Sequence, residues 1–151
     1  MHTAKLGRKK EHRERTLRNL MTSLFLYESI TTTQAKARAL RSSAERLMTR
    51  TADGSLTARR YAKQVLFDMN AVAKLFEDIN PRRQDRTSGF VRLTKFGVRP
   101  GDGAPMARLE LILKPLEQVI AEESSTKVKV RRSQKEENVT EETPDTEKEN
   151  V

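Results

Sequence analysis

In the first half of the chain, apolar positions recur at the spacing of a helix. From about Glu11 to Tyr27 the residues Leu17, Leu20, Met21, Leu24 and Phe25 share one side of a 3.6-residue turn, with Arg15, Arg18 and Asn19 on its flanks or back. SITTT, Ser29 to Thr33, is short and rich in β-branched residues, which predicts a brief strand. Thr32 or Thr33 then stands where a hydroxyl can accept from the first-turn N–H groups of a following helix. Ala37, Leu40, Ala44, Leu47 and Met48 mark the apolar side of that helix, and Lys36, Arg38, Arg41, Arg46 and Arg50 surround it. Asp53-Gly54 interrupts the pattern. SLTARRYAKQVLFDM resumes it, with Ala58, Ala62, Val65, Leu66 and Met69 on a common face. A further turn or two from Asn70 runs through Val72, Leu75, Phe76 and Ile79. It is expected to stop before Pro81, since proline disfavours a helical residue ahead of it.

The period then changes to two. GFVRLTKF sets Val91 and Leu93 against Arg92 and Thr94, and MARLELIL sets Ala107, Leu109, Leu111 and Leu113 against Arg108 and Glu110. GVRPGDGAP between them reads as a long hairpin loop, and PRRQDRTSG as a basic loop ahead of the first strand. Helix, short strand, helices and hairpin predict an α+β domain with helices packed on one face of a small sheet. Residues 1–10 read as a basic extended arm and 11–115 as the folded domain. In 116–151, LEQVIAEES suits a short helix, but the remainder is polar, charged and almost without apolar anchors, which predicts disorder.

Charge sharpens this picture. The formal net charge is +9, yet residues 1–116 carry 24 Lys or Arg against 11 Asp or Glu, and residues 117–151 carry 6 against 10. The body is therefore more basic than the whole chain. Residues 1–20 concentrate Lys5, Arg8, Lys9, Lys10, Arg13, Arg15 and Arg18 against Glu11 and Glu14. Residues 82–99 place Arg82, Arg83, Arg86, Arg92, Lys95 and Arg99 against Asp85 alone. A solvated helix back normally mixes signs; these stretches do not. Arginine also outnumbers lysine in the body, and its planar fork suits phosphates and base edges. A polyanionic partner follows, with nucleic acid ahead of an acidic membrane. The apolar stripes are needed for the core, and no tryptophan is present to anchor an interface.

Catalytic chemistry finds little to stand on. No cysteine is present, and the two histidines, His2 and His12, lie on a basic arm and helix start at a spacing that suits no metal. GDGAP lacks the Lys-Ser/Thr of a phosphate-binding loop and leads into a strand. Acidic residues of the body are scattered singly among cations, so paired general acid/base carboxylates have no support. No enzyme, cofactor, metal or small-molecule substrate is expected. No apolar run is long enough to span a bilayer and the start is basic, so the cytoplasm is the expected compartment.

Composition does not choose between RNA and DNA. A basic DNA-binding regulator is the rival reading, but RTADGS between the second and third helical stretches is long for a helix-turn-helix. An arm, a basic helix and a basic hairpin suit an irregular RNA surface better.

Three segments carry a resemblance. GRKKEHRERTLRNLMTSL, ITTTQAKARALR and KLFEDINPRRQDRTSGFVRLTKFGVRPGDGAPMARLEL, from about Leu6 to Leu113, resemble the seventeenth large-subunit ribosomal protein family of bacteria. The ordered series PR…DR…G…R…GDGAPMA…EL is its specific part. The resemblance implies a three-stranded mixed sheet made by ITTT and the hairpin. It also implies a non-enzymatic role in the large ribosomal subunit, as a monomer beside neighbouring ribosomal proteins, binding ribosomal RNA on the side of the nascent-chain exit. Carried over by position, the arm, His12, Arg13, Arg18, Asn19, Thr31, Thr32, Lys36, Arg38 and Arg41 would face RNA, joined by Arg82, Arg86, Arg92 and Arg99. Lys10, Arg15 and Arg83 complete the candidate set through their place in the two cationic stretches.

Overall fold

A computed structural model describes residues 4–83 and 86–115. Helix α1 spans Lys10–Tyr27, strand β1 Ser29–Thr33, helix α2 Gln34–Arg50 and helix α3 Leu56–Val65. Helix α4, Met69–Lys74, passes into a π-helical turn, Leu75–Ile79, and a short α5, Asn80–Arg82. Strands β2, Val91–Val98, and β3, Pro105–Leu111, form the hairpin. The α+β class follows the expectation. The predicted tail, 116–151, and its short helix lie outside the described residues.

The sheet order is β1-β3-β2, and both pairings are antiparallel. The expectation of a mixed sheet is thereby corrected. A mixed sheet would need β1 beside β2, which runs in the same direction. Instead β3, the returning arm of the hairpin, takes the centre and opposes both. Its inward residues Ala107 and Leu109 are fully buried, as a central strand demands.

Helices α1 and α2 cover the inner face. Leu24, Phe25, Leu40, Leu47, Leu75, Ile79 and Phe90 join Leu109 in one continuous core. Burying side chains of this kind contributes about 1.5–3 kcal/mol each, before the opposing entropy of ordering them. In Ser88-Gly89-Phe90-Val91-Arg92 the Phe90 ring is interior.

Local departures have local causes. Residues 4–9 contain a turn, with the Arg8 N–H donating to the Lys5 carbonyl at 3.1 Å, so the arm is not uniformly extended. Thr33 is the residue before α2, but its hydroxyl makes no capping bond. The third helix stops at Val65. Phe67 donates its N–H to the Thr22 hydroxyl at 3.2 Å, and Asp68 caps α4 by accepting from the Asn70 N–H at 2.8 Å. Met69, expected in the core, is exposed because it opens a new helix. The helical path also continues through Pro81: the preceding π turn widens the coil where proline would otherwise strike a carbonyl and leave it without a donor.

A candidate nucleic-acid interface

The paired strands fix what the outer face of the sheet presents. Ser29, Glu110 and Arg92 stand in one row, and Thr31, Arg108 and Thr94 in the next. The rows between them, Ile30-Leu109-Leu93 and Thr32-Ala107-Lys95, have the opposite parity. Thr31, Arg92, Thr94 and Arg108 are exposed. Three strands at about 4.8 Å spacing put Thr31 and Thr94 within about 10 Å of each other, with an arginine between them. Arg108 Nε and Glu110 Oε1 form an ion pair at 2.9 Å along the central strand.

Beyond Thr94 the ladder slips. Lys95 pairs with Ala107 and Gly97 with Met106, so Phe96 is the extra residue of a β-bulge. Gly97 has φ +92, a conformation that side-chain-bearing residues resist, and the residue type is thus required by the bulge. At the tip, Arg99 Nε donates to Asp102 Oδ1 at 3.0 Å and the Ala104 N–H to the same oxygen at 3.3 Å. The hydrogen bond from Arg99, then that from Ala104, hold the Asp102 carboxyl down to about 2, so the clasp stays charged at any ordinary pH.

The α1 side carries the second cationic surface. Lys5, Lys9, Lys10, His12, Arg15, Arg18 and Asn19 are exposed, and Arg8 and Arg13 are half-buried. Arg18 lies over the Phe67 ring at 5.7 Å, a contact that fixes its stem and leaves its edge to solvent. On α2, Arg38 and Arg41 are exposed and Lys36 half-buried, with Arg41 paired to Glu45 at 3.2 Å. Arg83 is half-buried over Phe90, at 5.7 Å, and Arg86 is exposed.

Two expectations for this surface are corrected. Thr32 is buried: β-alternation turns it to the inner face opposite Ala107. Arg82 is not a surface cation either. Its side chain is 11% exposed and lies between Glu28 and Asp78. Nη1 donates to Glu28 Oε1 at 3.1 Å and to both Asp78 oxygens at 3.1 Å; Nη2 donates to Glu28 Oε2 at 3.2 Å, and Nε to the Lys114 carbonyl at 3.0 Å. Burial works against the charge on Arg82, but Glu28 and Asp78 outweigh it and raise its pKa. Burial likewise pushes the Glu28 carboxyl up, while Lys74, at 2.8 Å, and Arg82 together bring it below the usual carboxylate range. Glu28 itself sits at φ 62 directly after α1. That left-handed conformation costs about 1 kcal/mol for a non-glycine residue, and the ion network offsets it.

Conversely, the exposed Arg108 and Phe96 belong to the outer face and were not among the candidate residues, nor was Lys95, which is exposed in a row of inner parity. The period-two pattern already turned Arg108 outward, and counting on from Arg92 and Thr94 does the same for Phe96; the bulge itself has only Gly97 as its sign. Among the described residues there is no group of His, Cys, Asp and Glu that could hold a metal. None of the described helices is long and apolar enough to cross a membrane.

Comparison with known proteins identifies the framework. The family model described as Ribosomal protein L17 matches residues 16–112. The chain belongs to the ribosomal protein L17 family. A relative in Caldanaerobacter subterraneus, named large ribosomal subunit protein bL17, is 46% identical over 112 residues, 74% of this chain and 100% of the relative. The protein of the same name in Geobacter sulfurreducens is 43% identical over 122 residues, 81% of this chain and 70% of its own length. That of Koribacter versatilis is 42% identical over 134 residues, covering 89% of this chain and 82% of the relative. Members of the ribosomal protein L17 family are structural proteins, and this chain is not an enzyme.

Proposed function

We propose that this protein binds and stabilises large-subunit ribosomal RNA through two cationic surfaces, the arm with α1 and the outer face of the β1-β3-β2 sheet. Its family and the names of its relatives make it a structural protein of the large ribosomal subunit, in the cytoplasm, beside other subunit proteins. A position near the nascent-chain exit, as a single copy in the particle, is part of the same proposal and is taken from the family resemblance. What supports RNA as the partner is the distribution of charge. Nine of the candidate side chains from Lys5 to Asn19 line one stretch of chain, and seven are exposed. Among the described residues no element covers the outer face of the sheet, which presents Arg92, Arg108, Thr31 and Thr94 beside Phe96.

Binding by phosphate neutralisation releases counterions, so log affinity falls with log salt by about 0.7–0.9 for each phosphate contacted. The test is a filter-binding titration of the full chain on purified large-subunit RNA at several salt concentrations. Replacing Arg13, Arg15 and Arg92 by Gln together should flatten the slope by about 2–3. A slope near zero, or one the triple replacement leaves untouched, would reject the reading. Sedimentation of lysate should carry the chain with the large subunit and release it after ribonuclease treatment.

A further inference from the structure

The seven aromatic rings of the chain fall into three groups. Phe25 is wholly in the core. Four rings each lie under an arginine: Phe67 under Arg18, Tyr61 under Arg50, Phe76 under Arg59 and Phe90 under Arg83, with guanidinium-to-centroid distances between 4.9 and 5.7 Å. Tyr27 and Phe96 remain, 73% and 62% exposed, without a cation on either face among the described residues. Burial or a guanidinium lid is this fold's usual way of finishing an aromatic face. Phe96 has neither, and it is held out by a built-in irregularity of its strand.

Counting along β2 from the outward Arg92 and Thr94 puts Phe96 on the same outer face. The bulge keeps it there, because Phe96 and Gly97 together oppose Met106, which shares that face with Thr33. The ring therefore stands in line with Arg92 and Thr94 and across from the Arg108 strand. Arg92, Thr31, Thr94 and the Arg108–Glu110 pair surround the uncovered ring on this face. Arginine and phenylalanine also suit protein interfaces, but this face is built on the cationic stretch 82–99, with six Lys or Arg against one Asp, and that charge favours an anionic partner. An unpaired nucleotide satisfies all three groups: its base stacks on the ring, its phosphate meets a guanidinium, and its sugar hydroxyls meet threonine.

We propose that the outer sheet face is a stacking platform for an unpaired base of large-subunit RNA, with Phe96 as the stacking ring, Arg92 and Arg108 as phosphate contacts and Thr31 and Thr94 as sugar contacts. This rests on the RNA-binding reading above and goes beyond it, because it names one residue and the unpaired state of the nucleotide it meets.

The chain contains no tryptophan, so Phe96→Trp gives a single-tryptophan reporter, and Tyr27→Trp gives a matched one at the other bare ring. Each is titrated, as the full chain, with deproteinised large-subunit RNA, and the affinity of Phe96→Leu and Phe96→Tyr is measured in parallel. Stacking predicts at least twofold quenching of the Phe96→Trp reporter at saturation and little change at the Tyr27→Trp reporter. It also predicts about tenfold weaker binding for Phe96→Leu and affinity within about twofold for Phe96→Tyr, which keeps the π face. Binding with an ordinary salt slope but an unquenched Phe96→Trp reporter and an unaffected Phe96→Leu would overturn the platform while leaving the RNA-binding reading intact. A chain that binds no RNA at all would overturn both. A blue shift without quenching, seen only in whole subunits, would assign the face to a protein neighbour and reject the proposal.

Discussion

Arg82 offers the sharpest test of the physical argument, because its sequence context marks it as an RNA contact and the fold makes it an internal strut. Arg82→Met keeps most of the apolar stem and removes the guanidinium from Glu28, Asp78 and the Lys114 carbonyl. Deleting one partner of a fully buried pair costs about 3–5 kcal/mol. The carboxylates here have side-chain exposures of 30% and 26%, so water can reach them, and Lys74 still holds Glu28 at 2.8 Å. The expected loss is therefore about 2–3 kcal/mol. In a domain of this size each kcal/mol moves Tm by about 4 °C, which makes the shift about 8–12 °C. Differential scanning calorimetry and urea unfolding measure it directly. RNA affinity, taken at a temperature where both proteins are folded, should stay within about twofold. Arg82→Lys should recover less than half of the loss, since an ammonium cannot reach both carboxylates and the carbonyl in one geometry. A Tm shift below about 2 °C combined with a large fall in affinity would refute the internal assignment.

Other outcomes follow from the same structure. Glu28 has a lowered folded pKa, so its contribution is fully present above the ordinary value of 4.5 and is lost as pH falls through the lower folded value; the stability gap between the native chain and Glu28→Gln should be level from about pH 7 to 5 and close on further acidification in urea titrations. Leu40→Ala empties a fully buried site between α2 and the sheet and should cost about 3 kcal/mol by equilibrium unfolding. Gly97→Ala forces a side chain onto φ +92 and should cost about 1–2 kcal/mol, with altered emission when combined with Phe96→Trp. Asp102 should titrate near about 2 by carboxyl NMR, and Asp102→Asn should speed hydrogen exchange at the Ala104 amide while leaving Tm in place.

Much of the architecture was legible residue by residue. The stripe through Leu17, Leu20, Met21, Leu24 and Phe25 defined α1 to within one residue at its start, and Ala37 to Met48 defined the buried side of α2. Both signals are local: backbone periodicity and apolar burial act on the same short segment and agree. The alternation that turned Arg92 and Arg108 outward is local in the same sense. The end of the α4 path was not legible, because proline alone predicts a stop. A π turn one residue wider than the α-helix let the chain continue, and its core residues Leu75 and Ile79 supply the packing that holds it.

By itself the sequence determined the class of the fold, the faces of its helices and strands, and the surplus of positive charge. All of these depend on composition and on spacing along a few turns of backbone. Only the tertiary structure decided which cations remain available. Glu28 lies 54 positions from Arg82, and the Lys114 carbonyl lies 32 beyond it on the other side. No spacing rule links such residues, since the core brings them together and the charges then neutralise one another. The strand order was decided in the same way, by which hairpin arm could bury Ala107 and Leu109 under both helices.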